Sequence, residues 1–69
     1  MKTMETAPRN GTSFVVLTPA AAHKAEWDAQ FRNFWSITAE RALEEDECVG
    51  WMSVLEWKAF VVGDKAATR

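Results

Sequence analysis

The sequence predicts a small α+β domain of β-α-β order whose sheet is completed by pairing with a second copy. Three observations carry that expectation. A short apolar run, Ser13-Phe14-Val15-Val16-Leu17, lies between Asn10-Gly11 and Thr18-Pro19. Residues 20–49 then hold no Gly or Pro and are rich in Ala, Glu, Lys and Arg, all good helix formers except at the caps. A second aromatic and β-branched run, residues 51–62, stops at Gly63-Asp64.

Taken in order, residues 1–12 mix Lys2, Glu5, Pro8, Arg9, Asn10 and Gly11 with small residues and show neither a two-residue nor a 3.6-residue repeat. They read as a flexible N-terminal tail without the apolar stretch of a secretory signal. The strand from Ser13 lacks alternation, so both of its faces should be covered. Thr18 and Pro19 form a helix opening, because the hydroxyl can take an orphan amide while Pro fills the first helical position.

The predicted helix runs over residues 19–46 and would be about 42 Å long at 1.5 Å per residue. Trp27, Phe31, Phe34, Trp35, Thr38 and Ala42 fall within an arc of about 100° on it, a single aromatic stripe. Its weak point is Ser36-Ile37-Thr38, where hydroxyls and β-branching compete with the helical ladder and can bend or break it. Glu40, Glu44, Glu45, Asp46 and Glu47 face only Arg41 in residues 40–47, which opposes the dipole at a helix C-terminus, and Gly50 then frees the backbone to turn. In the last strand Trp51, Ser53, Leu55, Trp57, Ala59 and Val61 share one face. The expected domain is therefore 13–63, with 64–69 as a C-terminal tail.

Two strands and one helix offer too little cover for this much apolar surface, since stable sheets need about three strands or a covering layer. A homodimer is the simplest remedy, two-fold pairing being the commonest closed symmetry. Other staples are missing: the single Cys48 cannot form an internal disulfide, and one histidine, His23, cannot build a Cys/His zinc knot. No metal or cofactor is expected.

Eight Lys and Arg stand against ten Asp and Glu, for a net charge of -2 and a pI near 5.2. That balance gives no general attraction to phosphate backbones, so direct nucleic-acid binding is not expected. No apolar stretch approaches the roughly 20 residues that cross a bilayer. A cytoplasmic, reducing location is the expectation.

Chemistry-bearing residues are few. His23 and Glu26 are three apart and would be neighbours on a helix, which reads as a solvated pair. Cys48 follows four acids that disfavour its thiolate. Glycines 11, 50 and 63 never cluster into a phosphate-cradling loop. The sequence therefore assigns no catalytic residue and points to a non-catalytic protein-binding module. Its contacts would be an aromatic seam anchored by Trp35 and Trp57, and an acidic patch of Glu40, Glu44, Glu45, Asp46 and Glu47 that docks, and so inhibits or regulates, a larger basic-surfaced protein. Two alternatives remain open. One is a small ligand-binding domain or enzyme with a helix-sheet pocket lined by Trp27, Phe31, Trp35 and Trp57, with His23 as its acid or base. The other is a structural assembly subunit.

Overall fold

The computed structural model describes the backbone of residues 1–67 and the side chains of residues 1–61. It is an α+β fold: a five-stranded antiparallel sheet with one C-terminal helix packed against it. The strands are β1 (Phe14–Leu17), β2 (Ala22–Asp28), β3 (Asn33–Ser36), β4 (Arg41–Leu43) and β5 (Gly50–Ser53), and the helix is α1 (Val54–Ala67). Sheet order is β4-β3-β2-β1-β5, so four consecutive hairpin-linked strands are joined at the β1 side by a fifth that returns from the far edge.

The long helix expected over residues 19–46 is absent; β2, β3 and β4 occupy that stretch. Helical propensity is a weak preference, and here turn chemistry opposes it. Asp28, the last residue of β2, accepts the amides of Gln30 and Phe31 at Oδ1, at 3.0 and 3.2 Å. Ser36, the last residue of β3, accepts the Ala39 amide at Oγ, at 2.8 Å. Each four-residue turn then closes with a left-handed residue, Arg32 at φ 54° and Glu40 at φ 56°. Thr38 belongs to the same device, its hydroxyl accepting the Lys24 amide at 3.0 Å. The suspected break at residues 36–38 is thus a strand end and a turn. Thr18 does take an orphan amide, that of Ala21 at 3.1 Å, but to close the β1–β2 turn and not to start a helix.

The strand expected over residues 51–62 ends at Ser53. There Ser53 Oγ accepts the Glu56 amide at 3.0 Å and Glu56 Oε1 accepts the Ser53 amide at 3.2 Å, a reciprocal capping box that starts α1. Among its residues 54–61, Val54, Trp57 and Val61 are half-buried, a spacing of three and four that marks one helical stripe. The helix contacts β5 and β1. Residues 64–67, expected in a tail, continue α1, while residues 68 and 69 of that tail lie outside the described residues.

Residues paired across an antiparallel ladder share a sheet face. The registers Phe14↔Ala25, Val16↔His23, Val16↔Trp51, Ala25↔Ser36 and Phe34↔Leu43 place the core on one face. Phe14, Val16, Ala25, Leu43 and Trp51 are buried there together with Ala7. Phe14 meets Phe34 and Trp51 edge-on at 5.6 and 5.5 Å between centroids, the arrangement that aromatic quadrupoles favour. Val15 points to the opposite face yet is buried too, so β1 is covered on both sides, as its unbroken apolar run predicts.

The segment read as a flexible tail lies on the sheet. Lys2 and Trp51 exchange backbone hydrogen bonds of 2.9 Å in both directions, Trp51 Nε1 donates to Thr6 Oγ1 at 3.1 Å, and Ala7 enters the core. Gly50 explains how the chain comes so close. A Cβ at that position would stand 2.6 Å from Met1 Cγ and 2.7 Å from the Lys2 carbonyl oxygen. With five strands in one chain, the sheet is complete without strands from a second copy, although Phe31, Leu55 and Phe60 stay exposed. Among the described residues, no helix is long and apolar enough to cross a membrane.

Candidate functional site

Side chains with chemical potential gather at the β2–β3 turn, where two grooves open on opposite faces of the sheet and share Trp27 and Asn33 as walls. The groove on the core face, about 500 Å³, is lined by Met4, Arg9, Trp27, Phe34, Glu44 and Glu45 among others. Arg9 crosses it, its guanidinium 4.7 Å from the centre of the Trp27 ring and 5.6 Å from that of Phe34, which is close enough for cation–π attraction. Trp27 and Phe34 meet edge-on at 5.0 Å beneath it.

The groove on the other face, about 750 Å³, is lined by Glu26, Trp27, Asp28, Ala29, Phe31, Asn33 and Trp35. Register builds it: Glu26 stands directly across from Trp35, and Asp28 from Asn33. Side chains opposite each other on one face have Cβ atoms about 5 Å apart, so indole and carboxylate adjoin by construction. Phe31 is 69% exposed at the turn and Trp35 is 38% exposed on β3. Within the same wall Asn33 Oδ1 is buried without a hydrogen-bond partner among the described residues.

Trp27, Phe31 and Trp35, expected to line one pocket, do line one groove, but on a bare sheet face and not between helix and sheet. His23 and Trp57 are not part of it. His23 is buried on the core face, with Nδ1 2.9 Å from Ser36 Oγ. Ser36 is wholly buried and its oxygen also receives the Ala39 amide, so this Ser-His contact is part of a buried hydrogen-bond chain. Trp57 sits on α1, stacked on Phe60 at 5.8 Å.

The acids of residues 40–47 do not form one patch. Glu40 lies in the β3–β4 turn, at the opposite end of β4 from Glu44, Glu45 and Asp46. Glu47 is committed to structure: its carboxylate takes Arg41 Nη1 at 2.8 Å and the Glu44 amide at 3.1 Å. The Arg41 hydrogen bond, aided by the Glu44 amide and the Arg41 charge, holds the Glu47 carboxyl below its ordinary range against an opposing burial effect that is second only to that hydrogen bond. Glu44 and Glu45 instead border the core-face groove, so carboxylates flank the β2–β3 turn on both faces.

Cys48 packs against the core, and its thiol donates to the Glu44 carbonyl at 3.3 Å. Burial, then the charges of Glu47 and Glu45, push its pKa up, in line with the poor nucleophile expected of it. Among the described residues no three His, Cys, Asp or Glu side chains are grouped to hold a metal ion. Sequence patterning hides this turn, because Phe31 fits the helical stripe of Trp27, Phe34 and Trp35. The signal that could have found it is the repeat of a capping side chain and a turn residue at a separation of eight, Asp28 with Arg32 and Ser36 with Glu40. Set against family models, curated proteins and solved structures, the chain matches none of them.

Proposed function

We propose that the protein is a non-catalytic binding module that docks a larger, basic-surfaced protein with the β2–β3 turn end of its sheet. The observation that carries this reading is the juxtaposition there of exposed aromatic side chains, Phe31 and Trp35, with the carboxylates of Glu26, Asp28, Glu44 and Glu45. Aromatic residues give large contact area at low conformational cost, and clustered charge speeds encounter and selects a complementary partner. Such a module inhibits or regulates its partner by occupying the basic surface. Asp46 belongs to the same end, whereas Glu40 and Glu47 do not contribute: one lies at the far turn and the other is paired with Arg41.

The test is capture of the partner by the purified full chain, read by native mass. Glu44→Lys with Glu45→Lys should weaken capture, and the loss should shrink as salt rises, since exposed charges are screened beyond about 8 Å at physiological ionic strength. Capture that is unaffected by the reversal at every salt concentration would remove this reading.

A further inference from the structure

The groove on the bare sheet face has a composition that selects one kind of side chain, and the argument rests on the docking reading above. Its walls hold the exposed aromatic rings of Phe31 and Trp35 and two carboxylates, Glu26 and Asp28, with no Lys or Arg among its lining residues. Among the described residues, neither Glu26 nor Asp28 forms an ion pair, the two pairs being Lys2 with Glu56 and Arg41 with Glu47. Asp28 spends one oxygen on the turn amides. Glu26, opposite Trp35, has no such duty among the described hydrogen bonds.

An apolar occupant would bury these carboxylates without compensation, and an anion would be repelled by them. A cation meets both halves of the wall, because aromatic faces and carboxylates attract it together. The chain itself displays the contact on the other side of the same strand, where the Arg9 guanidinium lies over Trp27. Among cations, a planar guanidinium can stack on an indole and pair with a carboxylate at once, which the compact, strongly hydrated ammonium of Lys does less well.

We propose that this groove receives an arginine side chain from a basic segment of the partner protein, the guanidinium stacked on Trp35 and paired with Glu26, its stem lying against Phe31. The probe is the blocked pentapeptide acetyl-Ala-Ala-Arg-Ala-Ala-amide, titrated into the full chain and followed by NMR, with citrulline replacing Arg in a second peptide. The expected result is saturable shifts confined to residues 26–35 and the Trp35 indole N–H, with the citrulline peptide about tenfold weaker or worse. Trp35→Ala and Glu26→Gln should each weaken the Arg peptide about five- to tenfold, with the dispersed signals of Phe14 and Val16 reporting an intact core.

Equal binding of the citrulline peptide overturns the proposal. So do shifts centred on Glu44, Glu45 and Asp46, and so do concentration-dependent shifts without peptide, which would mean that a second copy fills the groove. Partner capture that survives Trp35→Ala but falls on charge reversal at Glu44 and Glu45 would overturn this assignment while leaving the docking reading in place. Capture insensitive to both would overturn the two together.

Discussion

Ser36 is wholly enclosed, and its one hydroxyl serves two partners, receiving the Ala39 amide at 2.8 Å and meeting His23 Nδ1 at 2.9 Å. Removing a buried group that satisfies two others leaves both with their desolvation penalty, roughly 1–3 kcal/mol for each such loss. Ser36→Ala should therefore lower unfolding free energy by about 2 kcal/mol or more, measured by urea denaturation, with loss of the β3–β4 turn as its local sign. An unchanged midpoint would show that the pair adds nothing. The same residue limits what His23 can do. Held through one ring nitrogen and buried at 7% exposure, it acts here as a framework residue.

At the scale of elements, the turns decide the fold. A left-handed conformation costs an ordinary side chain about 1–2 kcal/mol, whereas glycine adopts it freely but loses about 0.5–1 kcal/mol through its freer unfolded chain. Glu40, at φ 56° and exposed, is the clean place to weigh the two. Glu40→Gly should stabilise the protein by about 0.5–1 kcal/mol, seen as a higher thermal midpoint; a lower one would mean that the glutamate side chain contributes to the turn. This geometry also explains what the sequence could and could not reveal. The unbroken run at Phe14 identifies a strand covered on both faces because burial on both sides needs no alternation. Residues 22–43 mislead, since Trp27, Phe31, Phe34 and Trp35 can be fitted to a helical stripe while their actual assignment is two to a core face, one to a turn and one to the bare face. What separates the readings is hydrogen bonding by Asp28 and Ser36 to amides two and three residues on, a local competition that propensity does not weigh. Conversely, the start of α1 was legible in Ser53 and Glu56, spaced as a capping box, but was overridden by the β-branched and aromatic residues that follow. The aromatic half of the candidate groove was thus visible as a set of residues. Its acidic half, Glu26 and Asp28, depended on a strand register that only the sheet supplies.

Across the whole molecule, the N-terminal segment ties the two ends of the chain together. Lys2 bonds to β5 through its backbone and to α1 through its side chain, Nζ lying 2.7 Å from Glu56 Oε1. The Lys2 hydrogen bond, followed by those from the Ser53 amide and hydroxyl, lowers the Glu56 carboxyl from 4.5 to about 2. A depressed folded-state pKa means that the folded form resists protonation. The contribution of this carboxylate is therefore complete above about 4.5 and is lost as pH falls from there through about 2. Because the pair is solvent-exposed, salt should diminish it. Thermal midpoints taken between pH 5 and 2 at fixed ionic strength should fall more steeply for the natural chain than for Glu56→Gln; parallel curves would detach Glu56 from the acid response.

The same bridge between Lys2 and Trp51 has a consequence for the company the sheet keeps. A sheet border with free amides and carbonyls invites another chain to add a strand, the usual route to aggregation. Here the β5 border is occupied by the protein's own first residues. On the opposite border β4 is only three residues long, and the Arg41 guanidinium occupies the Ala42 carbonyl at 3.0 Å. A second chain seeking to extend the ladder finds one border taken and the other too short to grip.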